Sequence, residues 1–286
     1  MRQGSPSQQH SGKVDEGPRG APLDGTKGIL VPEAGLERFT LRREPPPDAL
    51  KPFVVAFWTV QWDLPEGETY RQAILPFPCV NLAYEQGEFL VHGPGTACFV
   101  ATLSGRGWVT GARFTPAGFS AFSRWPMRKL VDHVEPAASV IGRSPPLSVS
   151  SPREARDALS DYLLAQEASP SAEMALADRL VAMAEADARI VTAETLAQEA
   201  AMAIRSLHRL LQRYVGVSSK WIVRRARVQN AAERVARGER IDWASTALEL
   251  GYHDQAHLIR DFRAQIGETP AAYARRCARR TSNEPV

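Results

Sequence analysis

Two stretches of this chain, about fifty residues apart, follow one plan. Leu207, Arg209, Leu211, Val215 and Gly216 stand in the first where Leu258, Arg260, Phe262, Ile266 and Gly267 stand in the second. A hydroxyl residue comes after each glycine, Ser218 in one copy and Thr269 in the other, and the same register matches Thr195 to Thr246. Apolar residues at i, i+4 and i+8 make one buried helix face, and each copy keeps an arginine on the opposite side. A helical unit used twice confines the last hundred residues to an all-α arrangement.

Each copy reads as two short helices joined by a turn. In the first, Thr192 is the N-cap ahead of Leu196, Ala197 and Ala200. A turn near residues 201–203 leads into a helix over 204–215, closed by Gly216. In the second, Asp242 caps a helix carrying Trp243, Ala247, Leu248 and Leu250, Gly251 and Tyr252 turn the chain, and a helix over 255–266 ends at Gly267. The helix over 204–215 buries Leu207, Leu211 and Val215 and presents Arg205, His208, Arg209 and Gln212. Its counterpart buries Leu258, Phe262 and Ile266 and presents Gln255, Ala256, Ile259, Arg260 and Arg263, with His257 among them. Two helices at a turn, with arginine, glutamine and histidine on the second, is the plan that carries a helix into the DNA major groove.

Residues 192–276 resemble the double helix-turn-helix domain of the arabinose-regulator (AraC/XylS) family of transcription factors. The run from Ala247 through Gly251, Tyr252 and Phe262 to Arg263 carries the resemblance most fully. It closes with Gly267, Glu268, Thr269, Pro270 and Tyr273, the family's Gly-x-[Ser/Thr]-Pro-x-x-[Tyr/Phe] ending. The first copy departs from the family pattern: Ala203 stands for serine, Leu211 for phenylalanine and Ser219 for proline. The resemblance implies a long helix between the units, here 220–237, and places Arg209 and Arg260 on groove-facing surfaces. Lys220, at the start of that helix, is expected to hold DNA phosphate together with backbone N–H groups at helix starts.

Charge agrees with that reading. From Val191 to the end there are 16 lysines and arginines against 10 acidic residues, a surplus of six on a chain whose net charge is +3. The residues before Val191 therefore sum to −3. A basic end on a nearly neutral protein is an electrostatic footprint for phosphate. Arginines that merely solvate an amphipathic helix would give the same count; the repeat and the signature decide between the two.

The 286 residues imply two domains, and 44% hydrophobic with 23% charged residues is the composition of a globular protein. No run reaches the ~20 apolar residues of a membrane span, and the first residues lack a signal-peptide apolar region. The expected location is the cytoplasm, on the nucleoid when DNA is bound. Cys79, Cys98 and Cys277 have no paired short spacing, so neither zinc nor a disulfide framework is indicated. Cys79, His92 and Cys98 are irregularly spaced and read as core thiols and a satisfied histidine rather than metal ligands.

Residues 1–40 are rich in Gly, Pro, Ser and Gln and read as a loosely ordered tail, and 41–51, with Pro45, Pro46 and Pro47, as an extended spacer. Short apolar runs separated by Gly and Pro make 41–145 a β-rich domain, a small barrel or sandwich. A strand over 108–114 precedes a helix expected from Pro116 to Arg124. Leu75, Asn81, Leu82, Tyr84, Gly93 and the run from Gly111 to Gly118 resemble a sensor-like domain often placed before this type of DNA-binding domain. Such domains bind small effectors, mediate dimerisation, or do both. Candidate effector contacts are Trp58, Trp62, Tyr84, His92, Trp108 and Arg113, although aromatic residues in strands are more often ordinary core.

Residues 146–188 read as a helical connection, with helices near 152–166 and 171–188. Met174, Leu176, Leu180, Val181 and Met183 form an apolar face on the second, suited either to the sensor-like domain or to a second subunit. The double helix-turn-helix occupies 189–280 and a short tail 281–286. The fold class is thus α+β in two domains. No nucleophile elbow, phosphate loop, dinucleotide fingerprint or His-Glu-x-x-His motif supports an enzyme or a cofactor. An alkyl-transfer DNA-repair protein, the one enzymatic alternative, needs a cysteine cluster that three scattered cysteines do not supply. The expected function is sequence-specific regulation of transcription. Double-stranded DNA is the partner, with RNA polymerase if the protein activates, and a small effector and a second copy of the chain as further partners. The other alternative is a regulator whose N-terminal domain serves only dimerisation or protein contacts.

Overall fold

Period-2 patterning, interrupted by Gly and Pro, folds the described residues of the N-terminal half into eight strands. The computed structural model describes residues 37–281 except 76, 144, 146–148 and 240, so the tail read over 1–40 lies almost wholly outside the described residues. The strands are β1 (Phe39–Glu44), β2 (Val54–Asp63), β3 (Thr69–Ile74), β4 (Asn81–Glu85), β5 (Glu88–His92), β6 (Phe99–Ser104), β7 (Arg106–Phe114) and β8 (Val134–Pro136). Six pair antiparallel in the order β1-β2-β7-β4-β5-β8, while β3 and β6 form a separate two-stranded ribbon. The sheet is therefore open rather than the closed barrel that was one of the two expectations. With β3 and β6 paired to each other, β1 and β8 are left as edges. At the β8 edge Pro136 pairs with Leu90 and has no N–H to offer a further strand.

Two local expectations change. The spacer read over 41–51 begins as a strand: β1 pairs with β2 from Phe39↔Trp62 to Glu44↔Phe57. Phe39 and Leu41 alternate with polar residues, and the three prolines end that strand rather than define the segment. The helix expected from Pro116 to Arg124 is a single 3-10 turn, Gly118–Ala121. A Cβ on Gly118 would lie 2.2 Å from the Phe53 carbonyl oxygen, so the chain there is pinned to β2's approach and has no room for a full helix.

Register divides the sheet's side chains cleanly. Phe57, Leu82, Phe89, Val91, Ala112 and Phe114 share one face and are buried. On this face the Thr59 and Thr110 hydroxyls bond each other at 3.0 Å, which satisfies both inside the core. After α1 (Ala137–Ile141), helix α2 (Pro152–Leu164) packs its Leu159 and Leu163 into that core; Ser151 starts it by accepting the Glu154 N–H.

Helix α3 (Ala172–Ala186) buries Met174, Leu180 and Val181 in the same cluster. Its apolar face is covered within the chain, which answers the alternative of a second subunit for those residues. Asp178 of α3 accepts the Ala117 N–H at 2.8 Å, and burial pushes its carboxyl above the usual carboxylate range. One core then runs from Phe53 and Phe114 through Leu180 to Leu207 and Leu211. Among the described residues no helix is long and apolar enough to cross a membrane.

Candidate nucleic-acid interface

Among the described residues of the last hundred there are six helices: α4 (Ala193–Glu199), α5 (Ile204–Tyr214), α6 (Ser219–Ala236), α7 (Trp243–Glu249), α8 (Gln255–Ile266) and α9 (Pro270–Thr281). Caps start them. Thr192 accepts the Thr195 N–H at 3.0 Å, Asp242 accepts from Ala244 and Ser245, and Ser218 accepts from Trp221. Asp254 accepts the His257 N–H at 2.7 Å ahead of α8. That bond, more than its neighbour His253, holds the Asp254 carboxyl below its ordinary pKa. At the same place before α5 stands Ala203, which caps nothing. Gly216 and Gly267 take φ of +91° and +87° after α5 and α8, the left-handed turn that ends a helix.

The repeat register needs one adjustment. Thr195 and Ser245 both sit three residues past their caps, so the first helices of the two units align at a spacing one shorter than the second helices do. The second turn, from Leu250 to Asp254, holds one residue more than the first. A count of matching letters could not see that insertion, because Thr195 and Thr246 are the same residue.

On α5 the apolar face is buried through Leu207 and Leu211, while Arg205, His208, Arg209 and Gln212 are exposed together on the other side. On α8, Leu258, Phe262 and Ile266 are buried and Gln255, Ala256, Arg260 and Arg263 are exposed. His257 and Ile259 are half-buried. The His257 ring meets Tyr252 edge to face at 5.1 Å and its Nε2 lies 3.9 Å from Asp261, so part of that side chain serves the unit's own packing. Lys220 is exposed in the first turn of α6.

Helix α6 holds both units at once. Ile222 and Val223 enter the core of the first, and Val228, Ala231, Ala232 and Val235 that of the second. Three arginines on it were missed as structural residues. Arg224 pairs with the buried Asp261 of α8 at 2.8 Å, and the Arg227 guanidinium lies 3.6 Å over the Tyr252 ring. Arg225 is only 1% exposed: it pairs with Glu185 of α3 and stacks on Phe77 at 4.4 Å. Desolvation works against its charge, so Glu185 and the Phe77 ring are what make burial tolerable. The C-terminal surplus of positive charge thus overstates what DNA can meet. No spacing in the sequence distinguishes these three from solvent-facing arginines.

The six candidate effector contacts do not converge. Pairing of Trp58 with Gly111, Trp62 with Gly107, and Asn81 with both His92 and Arg113 sets Trp58, Trp62, His92 and Arg113 on one sheet face. Tyr84 and Trp108 are on the other face, stacked on each other at 5.4 Å. Most are already engaged. Trp58 Nε1 donates to Asn81 and Trp62 Nε1 to the Ser104 carbonyl, and His92 Nε2 lies 2.9 Å from Glu85. Arg113 stacks on Phe77 at 4.1 Å, the ring that Arg225 also meets. Apolar and aromatic content marked these residues, and only strand register could separate them by face.

Comparison with known proteins follows this division. Residues 42–136 match a domain of unknown function, DUF6597, and residues 196–276 match a helix-turn-helix domain. No curated protein matches the chain. Among solved structures it is similar to the C-terminal domain of AraT, a response regulator from Geobacillus stearothermophilus: 20% identity over 37% of this chain and 88% of that one, TM-score 0.33. It is also similar to the DNA-binding domain of AdpA, a global transcriptional factor, in complex with a target DNA: 25% identity, 38% and 97% covered, TM-score 0.32. With ToxT from Vibrio cholerae it shares 11% identity over 83% of this chain and 98% of that one, TM-score 0.34. The chain thus carries a DNA-binding helix-turn-helix domain of the AraC type over residues 196–276, with a DUF6597 domain over residues 42–136 before it.

Proposed function

We propose that α5 and α8 enter successive major grooves on one face of a duplex, with Arg209 and Arg260 reading base edges and Lys220 holding phosphate. The observation that carries this is the pair of exposed, cationic helix faces whose apolar backs are packed on the single helix α6. A rigid helix between two such faces suits two grooves one helical turn, ~34 Å, apart. An arginine bonds guanine O6 and N7 bidentately, whereas a compact lysine at a helix start meets the backbone. The test is affinity of the full-length chain for duplex DNA across a salt series: log K falls steeply with log salt. Absence of binding at low salt overturns the reading.

The continuous core supports regulation through the N-terminal domain. A ligand shifts a protein between two arrangements only by binding one better, and α3 joins the N-terminal sheet to the first unit without a break in packing. A small effector on the N-terminal domain therefore has a mechanical route to α5. A second reading, in which that domain makes only protein contacts or dimerises, is favoured by the split of the six candidate contacts between two sheet faces. Native mass spectrometry of the purified protein separates the two, by a retained small molecule or by a dimer without one.

A further inference from the structure

The 3-10 turn Met127–Lys129 belongs to the N-terminal domain yet stands beside the exposed face of α5. Together they enclose an open cleft of about 510 Å³ lined by Arg128 from the turn and by Arg205, His208, Arg209, Gln212 and Arg213 from the helix. No carboxylate lines it. Arg213 has Glu173 at 3.4 Å, whereas Arg128, Arg205 and Arg209 have no carboxylate among the described residues within ion-pairing distance. Cations held this close repel one another unless water or an anion intervenes. We propose that Arg128 is a DNA phosphate contact supplied by the N-terminal domain, flanking the groove that α5 enters. The inference rests on the DNA-binding reading and adds a residue outside the helix-turn-helix domain to the interface.

Geometry selects phosphate over bases. A helix with its side chains is ~10–12 Å across and nearly fills a major groove ~12 Å wide. A turn lying along its flank therefore meets the sugar-phosphate wall. The turn is also fixed in place. Met127 is buried, Lys129 N–H donates to the Pro126 carbonyl at 2.8 Å, and Leu130 N–H donates to the Met127 carbonyl at 3.0 Å. At the end of α5, a Cβ on Gly216 would lie 2.7 Å from the Met127 carbonyl oxygen, so only glycine admits this approach. Lys129 lies 5.8 Å over the Trp125 ring, which leaves Arg128 as the arm toward DNA. Because Arg205, His208, Arg209 and Gln212 remain exposed, the turn flanks the reading face rather than covering it.

The test uses the full-length chain and a duplex recovered by selection from random sequences with that chain. Arg128 is exposed, so Arg128→Ala and Arg128→Glu leave the core alone. Arg128→Ala is expected to lower the slope of log K against log salt by about 0.9 and to weaken binding roughly tenfold at 0.1 M salt, alike for matched and mismatched duplexes. Arg128→Glu weakens it further. An unchanged slope while the unmodified chain binds normally overturns the inference and leaves the DNA reading standing. Tighter binding by either variant overturns it in favour of a turn that screens α5. Titration with inorganic phosphate adds a third arm: phosphate binding that Arg128→Ala abolishes, with DNA binding untouched, assigns the cleft to a small anion instead. If the unmodified chain selects no duplex at all, both readings fall together.

Discussion

At the turn of the second unit stands Gly251, at φ +71°; at the same place in the first stands Ala201, at φ +50°. Asp254 caps α8, while Ala203 leaves the first N–H groups of α5 without a side-chain acceptor. Phe262 fills the second core against Trp243 at 6.3 Å and Tyr273 at 5.7 Å, where the first has Leu211. Each difference weakens the first unit locally. Its support comes from elsewhere, because Leu207 and Leu211 share a core with α3 and the N-terminal sheet. The second unit has a core nearly its own, to which Ala73 of β3 and the flanking Leu75 and Cys98 add contacts. Two copies of one motif thus differ in support: the second packs mostly on its own helices and α6, and the first shares its core with the N-terminal domain.

The largest expected effect of that division is on truncation. A fragment beginning at residue 188 lacks α3, so α4 and α5 should lose most of their amide-exchange protection while α7 and α8 keep theirs. Equal protection in both units would show that the shared core does not matter. Next come Phe262→Ala, at ~3–5 kcal/mol, and Leu211→Ala, at ~2–5 kcal/mol. The distinguishing readout is where exchange quickens. Loosening should stay within residues 228–281 for Phe262→Ala and should spread into α3 and the sheet for Leu211→Ala.

Base reading should be unequal as well. Arg260→Ala is expected to weaken binding, relax preference at one operator position worth ~1–3 kcal/mol, and cost more than Arg209→Ala. Lys220→Ala should weaken all sequences alike and reduce the salt slope by roughly one. A base-by-base binding screen of the three variants checks this; uniform loss with unchanged preference for Arg260→Ala removes it from the reading set. Smaller still, Ala203→Ser should supply the missing cap and stabilise the first unit by ~1 kcal/mol in thermal unfolding, with no gain if α5's first turn is already satisfied.

Acid should separate the units in the opposite sense. The Asp242 carboxyl is held below its ordinary pKa first by the Ser245 hydroxyl and then by the Ala244 and Ser245 N–H groups, and that of Asp254 first by the His257 N–H. A lowered folded-state pKa contributes stability above the unfolded value of ~3.9 and loses it as pH falls through the folded value. Below about pH 4 the second unit should therefore loosen at α7 and α8, whereas α4 and α5, capped by Thr192 and uncapped at Ala203, should not respond through their caps. Exchange measured from pH 6 to pH 3 decides it.

The helical half was the more legible. Leu258, Phe262 and Ile266 at i, i+4 and i+8, with Gly267 after, are local signals, and the helix they specify is Gln255–Ile266. The exposure of Arg205, Arg209, Arg260 and Arg263 follows from the same period. The sheet was less so. Short apolar runs marked strands, but whether β3 joins β6 or the main sheet depends on pairings some thirty residues apart that no local pattern encodes.

What the sequence determined by itself was therefore what is periodic or covalently near: two repeated units, their caps and glycine stops, their polar faces, and the strand-rich character of the first half. Tertiary structure decided three things. It drew Arg225 and Arg227 into internal packing, since a guanidinium over Phe77 or Tyr252 is indistinguishable in sequence from one in solvent. It put Trp58 and Trp108 on opposite faces of one sheet through strand register. And it set Arg128 beside α5, because Met127 and Gly216, nearly ninety residues apart in the chain, meet only through packing.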